Sequence, residues 1–455
     1  MRVVVVGGGI SGLSAAWRIT EFAADTEVVV LEAADAVGGK LRVESVGGVP
    51  VDVGAEAMLT RRPEGVELAK DAGLGDALLE PLTTSAAVYA GGAAHPLPAR
   101  TVLGVPGDVG ALRSSGVLSH AAMSIVDSEP SHPPLEPLLD DVAVGPLVRS
   151  RLGDEVVERL VEPLLGGVYA GRADELSLQA TMPALAAQLR IGGSLVRAAA
   201  VVSGGAGGGG PAFTSLAGGL GRLPIALAAS GHFAVRTGIT VRAIRRTPAG
   251  FALDCGPVPR PELVEADAVV VAVPPGKAAR LLRDVAPAAG AELSTVDTAS
   301  MAIVTLAYRG VTPPAGSGLL VGTREGYRVK AVTLSSQKWP IMPDGLTILR
   351  ASVGRVGETA DLQRDDGELI ALARHELPAL IGVDAEPVDA LVTRWGGGLP
   401  QYAVGHLDKV VRIQEAVAAV PGLAVCGATY GGVGIPACIA AGRQAAQRIL
   451  ARARQ

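Results

Sequence analysis

Aromatic residues are scarce in this chain, only 3% of 455 residues, and that leaves too little ring surface to stack the bases of a single-stranded nucleic acid. Excess positive charge is missing as well. With a net charge of -5 and a sequence pI near 5.8, the chain lacks the field that attracts a phosphate backbone, so no nucleic-acid partner is expected. Only three cysteines occur, Cys255, Cys426 and Cys438. They are too few and too irregularly spaced for a metal site or a disulfide framework, so no metal is expected and a reducing cytoplasm is the simplest location. Long apolar runs are also lacking: stretches such as Ala268 to Pro274 fall well short of the roughly 18 residues a spanning helix needs. A secretory leader is not expected, because Arg2 to Val6 reads as a strand running directly into glycines. Peripheral attachment to a bilayer is excluded by none of this.

What is plentiful is alanine, glycine, valine and leucine. Apolar residues make up 49% of the chain and charged residues 19%, enough for a sizeable core and little disorder. The length suits a large nucleotide domain joined to a second one. The opening block reads as strand, tight turn, helix, strand: Val3 to Val6 is a buried-strand run, Ile10, Leu13 and Trp17 recur at helical spacing, and Glu27 to Leu31 forms a second strand. From Thr83 to Pro211 the pattern is broken by proline and glycine and then turns helical, most clearly over Gly153 to Gly166 and Thr181 to Val202. Ser203 to Pro211 is almost all glycine and reads as a flexible loop. Phe233 to Ile244 alternates as a strand should, and Asp267 to Val273 is another buried-strand run. Strands are also expected over Ala299 to Tyr308, Arg328 to Leu334 and Leu346 to Val353, suiting an antiparallel sheet in the second domain. Leu423 to Cys426 is a short strand leading through a glycine-rich turn into a long helix over Ile435 to Ala453. The domains are therefore expected to interleave along the chain.

Gly7-Gly8-Gly9-Ile10-Ser11-Gly12 satisfies G-x-G-x-x-G between a strand and a helix, the context in which this motif binds a dinucleotide. Gly7 permits the turn, Gly9 admits the pyrophosphate to the backbone, and Gly12 lets helix and strand pack closely. The helix N-terminus then faces the negative charge. Glu32, with Ala33 behind it, follows the second strand where a carboxylate accepts from the adenosine ribose hydroxyls. FAD and NAD share this fingerprint. The next signal is Gly38-Gly39-Lys40-Leu41, which resembles the glycine doublet of the flavoproteins that include amine oxidases and porphyrinogen oxidases. That family usually carries an arginine three places before the doublet, where this chain has Asp35, so one diphosphate contact is missing. The most specific motif is Val425 to Pro436, including Val433-Gly434-Ile435. Its small residues let a flavin lie against the backbone, and its helix N-terminus would stabilise charge on the reduced ring.

Together with Asp52 to Leu59, Arg61-Arg62-Pro63, His95 to Pro98, Arg394-Trp395, Pro400-Gln401-Tyr402 and His406, these motifs make the chain resemble the protoporphyrinogen and coproporphyrinogen oxidase family over nearly its full length. The resemblance implies an α/β fold: a Rossmann-like FAD-binding domain of the glutathione-reductase-2/amine oxidase type with an interleaved α+β substrate domain. It places FAD binding on 1–82, 213–290 and 395–455, and the substrate domain on 83–212 and 291–394. It sets Gly54, Ala55, Glu56, Ala57 and Met58 beside the isoalloxazine, Val241 on the adenine through its backbone, and Trp395 near the flavin. Relatives more often have proline at position 55. Arg62, and with it Arg61, falls where Gram-positive relatives hold a basic residue near the substrate rim, and a propionate entering an apolar pocket needs such a partner.

The chemistry so implied is oxidation of a porphyrinogen to a porphyrin in three two-electron steps, each passing hydride from carbon to the flavin and releasing an imino proton, with molecular oxygen as final acceptor. The cofactor carries the redox chemistry, so no catalytic triad is required and no catalytic residue is assigned. Glu56 is the carboxylate expected near the reacting face, without being assigned as a base. Within the family, Arg61-Arg62 and the lack of a spanning segment favour the Gram-positive branch acting on coproporphyrinogen III over protoporphyrinogen IX. The sequence is silent on whether a downstream chelatase makes transient contact to receive the product. Two rivals fit the same scaffold. An amine oxidase or carotenoid desaturase is one, although Trp395, Tyr402 and Tyr430 supply little for an aromatic cage; a non-catalytic binder resembling the prenyl-protein dissociation inhibitors is the other, opposed by the intact glycines.

Overall fold

The computed structural model describes residues 1–205, 211–340, 343 and 345–453. Residues 206–210, most of the glycine-rich segment read as a loop, lie outside them.

A five-stranded parallel sheet carries the opening motif. Its order is Ala234–Arg236, Glu27–Leu31, Arg2–Val6, Ala268–Val271 and Leu423–Val425, so strands from widely separated parts of the chain are neighbours. Past the opening Arg2 and Glu27 the three central strands are apolar at every position because both faces are covered. Val3 and Val5 pack under the first helix, Ile10–Phe22, and the closing helix, Ile435–Ala453. Val4 and Val6 pack on the opposite side, against the helices Pro275–Leu282 and Pro287–Ser294 and a three-stranded meander. Val3, Val4 and Val5 have no exposed surface, and each such burial is worth about 1.5–3 kcal/mol.

Phe233 to Ile244 is not one strand. Ala234–Arg236 joins the parallel sheet, whereas Val241–Thr247 begins the meander. Between them Gly238 turns at φ +69, and its N–H donates to Ala34 O while that of Ile239 donates to Glu32 O. Alternation survives across the two strands, but the turn moves the second half to another sheet.

A seven-stranded mixed sheet forms the second body. Its order is Asp389–Pro400, Thr298–Arg309, Leu346–Val353, Val329–Leu334, Gly318–Val321, Ala86–Ala90 and Ala93–Pro96. The strands expected over 299–308, 328–334 and 346–353 are all in it, and Asp389–Pro400 runs across the boundary expected at 394/395. One face, built from Val304, Val332, Leu349 and Ala351, packs on the helix Asp366–Ile381. That helix opens with a reciprocal cap: Asp365 accepts from Glu368 N and Glu368 accepts from Asp365 N.

Helices between residues 109 and 204 form a third layer with its own core. The stretch expected to be one helix over Thr181 to Val202 is interrupted. Pro183–Leu189 and Leu195–Gly204 are separated by Gly192 and Gly193, both at positive φ, and the second helix restarts on the Ser194 hydroxyl, which accepts from Arg197 N. A buried carboxylate fixes this corner, Glu129 taking hydrogen bonds from Arg151, Ser194 and Leu195 N. The helix beginning after Gly153 continues to Tyr169 with a wider turn over Val157–Val161. Among the described residues no helix is long and apolar enough to cross a membrane, and no cluster of three His, Cys, Asp or Glu side chains is arranged to hold a metal.

Candidate active site

The opening turn builds a cradle from glycines with different jobs. Gly7 sits at φ +111, a conformation that side chains other than glycine's resist, and its N–H donates to Leu31 O at 2.8 Å. A Cβ on Gly12 would overlap the Gly7 carbonyl oxygen, so the helix can approach the strand only because that atom is missing. At Gly9 an added Cβ would meet nothing within 4 Å, leaving the backbone open on one side. Glu32 lies where its spacing predicts. Its Oε2 accepts from Gly8 N at 2.6 Å and its Oε1 from Ala34 N at 2.8 Å, which fixes the carboxylate beside the turn while each oxygen retains a further lone pair. Ala33 is exposed at the same edge. Val241, at the start of the meander, follows the segment whose Ile239 N–H donates to Glu32 O, so it lies at that edge too.

The second glycine pair closes on the first, Gly38 N donating to Gly8 O at 2.8 Å and Leu41 N to Gly38 O at 3.0 Å. Next comes the loop at 54–58: Ala55 N donates to Lys40 O at 3.1 Å, and a Cβ on Gly54 would overlap that same carbonyl. Trp395 lies on this loop, its indole N–H donating to Val53 O at 3.1 Å. Burial lowers the Lys40 pKa. Met58 is buried beneath the helix Glu64–Asp71 and pairs with Thr214. Asp52, just before the loop, accepts from Leu220 N and Gly221 N, and burial raises its pKa to about 6.

The carboxylate of Glu56 is fully occupied. Lys338 Nζ and Arg350 Nη1 each reach it at 2.6 Å, Ser335 donates at 3.2 Å, and Arg350 Nη2 also grips Gly54 O at 2.5 Å. Burial alone would push the Glu56 pKa up, but the two cations overcome it and hold the pKa at about 2. Glu56 is therefore a permanent anion that ties the 54–58 loop to the seven-stranded sheet and is unsuited to accepting a proton at neutral pH. Sequence reasoning named Glu56 and missed its partners. The visible signal was Arg350, the one charged residue of the strand Leu346–Val353.

At the far end of the chain, Ile435–Ala453 crosses the first helix so closely that a Cβ on Gly442 would overlap Ser11 O, which brings Ile10, Ser11, Val433, Gly434 and Ile435 into one region. An added Cβ at Gly427 or Gly431 would meet nothing within 4 Å. Neither of the two helices has an acidic residue in its first turn, and the first has no side-chain cap, so their N-termini keep their positive ends free. Open glycines, two such helix ends and an anchored acid fit a dinucleotide with an attached ring. Tyr402 and Tyr430 do not form an aromatic cage: the Tyr402 hydroxyl donates to Ala428 O with its ring stacked on His406, and Tyr430 is packed into the core behind the parallel sheet. His406 is buried, with its pKa lowered by that burial, and bonds Thr429 O. All three cysteines are free and buried, and burial raises each thiol pKa.

Arg62 stands just before the helix Glu64–Asp71, half-exposed, with Nη2 2.7 Å from Glu64. Arg61 is exposed. Neither joins the Glu56 cluster.

The family described as flavin containing amine oxidoreductase matches residues 10–450. A coproporphyrinogen III oxidase of Mycobacterium tuberculosis is 39% identical over 453 residues, covering 98% of this chain and 96% of that protein. The enzyme of the same name from Bacillus subtilis is 32% identical, covering 98% and 97%. A crystal structure from Exiguobacterium sp. 255-15, provisionally described as a protoporphyrinogen oxidase, superposes with a TM-score of 0.88 at 32% identity over 100% of this chain and 99% of the other.

Proposed function

The chain belongs to the flavin containing amine oxidoreductase family, with FAD as cofactor, and from that premise we propose that it oxidises coproporphyrinogen III to coproporphyrin III in haem biosynthesis, with oxygen as final electron acceptor. One observation carries this reading: similarity to coproporphyrinogen III oxidases extends over 98% of the chain, including both ends of the glycine cradle. The nucleotide-binding role is assigned to 1–82, 213–290 and 395–455, and the substrate-binding role to 83–212 and 291–394.

FAD, when bound, supplies the hydride acceptor. The chain's own residues do the rest. Gly7, Gly9, Ile10, Ser11 and Gly12 receive the diphosphate, Glu32 and Ala33 the ribose, and Val241 the adenine. Gly38, Gly39, Lys40 and Leu41 support the loop of Gly54, Ala55, Glu56, Ala57 and Met58 against the ring, with Trp395 beside it and Val433, Gly434 and Ile435 closing over its far edge. Oxidising the macrocycle removes hydride from carbon and protons from nitrogen, so the ring must be oriented and competing water excluded. A porphyrin product is apolar across its faces, and release to a downstream chelatase or at a bilayer surface suits that chemistry.

Porphyrin fluorescence under air tests the reading. The flavin-loaded protein is expected to turn over coproporphyrinogen III faster than protoporphyrinogen IX at equal concentration; preference for protoporphyrinogen IX would instead favour the name given to the Exiguobacterium protein. Arg62 is assigned to the substrate rim, so Arg62→Ala is expected to raise KM several-fold with flavin content unchanged. Loss of FAD from that variant would place Arg62 on the cofactor side.

A further inference from the structure

The seven-stranded sheet has two unlike faces. One is apolar against the helix Asp366–Ile381. The other carries the paired Thr305 and Arg350, at 0% and 5% exposure, and Lys330 of the adjoining strand Val329–Leu334 is likewise buried at 4%. Among the described residues Thr305 Oγ1, Lys330 Nζ and Arg350 Nε have no hydrogen-bond partner, and the same holds for Nε of Arg355, which follows the strand Leu346–Val353 at 9% exposure. Arg350 spends its two terminal nitrogens on Glu56 and Gly54. Among the described residues the Lys330 ammonium has no bond, and the one hydrogen bond of the Arg355 side chain is a 3.5 Å contact with Val321 O. Burying an unpaired cation is costly, so two together need a reason.

Lys330 is the extra residue of a β-bulge. Val329 pairs with Val353 and Ala331 with Ser352, which leaves Lys330 without a partner across the ladder. Bulges re-aim side chains and recur beside active sites. The Arg355 charge acts on Lys330, and the helix Glu162–Tyr169 packs on the strands Gly318–Val321 and Val329–Leu334; Arg355 Nε lies 3.8 Å from where a Cβ of Gly166 would stand. The neighbouring acids act on the two cations through charge, Glu358 on both and Glu162 on Arg355, but make their hydrogen bonds elsewhere. Glu162 accepts from Ala173 N at 2.6 Å, and Glu358 pairs with Arg172 at 3.5 Å. Burial first, and then the Arg355 charge, lowers the Lys330 pKa to about 7.

We propose that Lys330 and Arg355 form a carboxylate-binding pair that receives a propionate arm of the substrate between the seven-stranded sheet and the helix Glu162–Tyr169. The proposal rests on the assigned porphyrinogen chemistry. An incoming carboxylate satisfies Nζ and Nε with charge-assisted bonds, which Glu162 and Glu358, acting on these cations only through their charge, do not supply. An esterified arm accepts hydrogen bonds more weakly and brings no charge.

The experiment uses the flavin-loaded protein, wild type and with Lys330→Met, Lys330→Arg and Arg355→Gln. It measures KM and kcat for coproporphyrinogen III, and the Kd of coproporphyrin III and of its tetramethyl ester. Lys330→Met and Arg355→Gln are expected to raise KM and the Kd of the free acid roughly tenfold or more, leaving the ester and the flavin spectrum unaffected. Lys330→Arg should restore most of the affinity. Lys330→Met removes an unpaired buried charge and is expected to fold. Equal shifts for acid and ester, or none for either, would overturn the pair and leave Lys330 as a packing residue. A wild-type protein without turnover of coproporphyrinogen III would refute the porphyrinogen reading itself and the pair with it, an outcome separable from normal wild-type turnover with insensitive variants.

Discussion

Gly12→Val is expected to yield protein without flavin absorbance and with reduced soluble recovery, the largest single-residue effect anticipated in this molecule. The cause is local and steric. The first atom of any side chain at position 12 overlaps the Gly7 carbonyl oxygen, and the backbone cannot retreat, because the other side of the helix is pressed against the closing helix where Gly442 meets Ser11. The helix must tilt away from its strand, which moves its N-terminus off the position proposed for the diphosphate and opens the apolar layer between the two helices. Flavin released by acid and quantified per mole of protein gives the readout. Gly276→Ala is the control, since that glycine is exposed on the helix Pro275–Leu282 and an added Cβ meets nothing within 4 Å. It should bind FAD normally and be slightly more stable, by about 0.5–1 kcal/mol. A Gly12→Val protein carrying a full flavin complement would refute the packing argument.

Removing Glu56 should be the next most damaging change. Glu56→Ala leaves Lys338 and Arg350 as neighbouring buried cations without their anion, and breaking such a pair costs about 3–5 kcal/mol. Arg350 would also lose its reason to hold Gly54 O, so turnover should fall together with Tm. The same cluster sets an acid limit. Because Glu56 has a pKa of about 2 in the folded protein against an ordinary 4.5, its stabilising contribution is complete above pH 4.5 and is lost as the pH falls toward 2. That difference corresponds to about 3 kcal/mol. Asp52 has the opposite sign: with its pKa raised to about 6, its contribution is present below the ordinary value of 3.8 and disappears as the pH rises through 6, so it cannot produce the acid loss. Thermal melts between pH 3 and 7 of wild type and Glu56→Gln should show a shallower acid decline in the variant. Parallel curves would assign the acid limit to other carboxylates.

What the sequence disclosed and what it hid divide by distance along the chain. The cradle was legible because its parts are neighbours: Gly7, Gly12 and Glu32 sit within one strand-turn-helix-strand unit whose spacing follows from backbone geometry. The closing motif was legible for the same reason. Lys338 and Arg350 were not, since they reach Glu56 from 282 and 294 residues away and no spacing rule connects them. The split of Phe233 to Ile244 was hidden differently: both halves alternate as strands, and only the turn at Gly238, bonded back to Ala34, assigns them to different sheets. At Gly192-Gly193 the break was written in the sequence, with Ser194 ready to cap a new helix, but helical periodicity on either side outweighed it. The charge of Arg62 was recognised; its contact with Glu64 is a local detail that charge pattern alone does not reveal.

The order of strands in the parallel sheet has a consequence for biosynthesis. Leu423–Val425 lies beside Ala268–Val271 and comes last off the ribosome, and the helix that follows it is the one that locks onto Ile10–Phe22. A nascent chain that has emerged as far as Val271 already owns four of the five strands, yet its first helix still lacks the partner that covers it. If the closing segment completes the cradle, cofactor loading is expected to follow its arrival. Until the closing segment arrives, the apolar flank of the first helix is a surface for chaperones to shield.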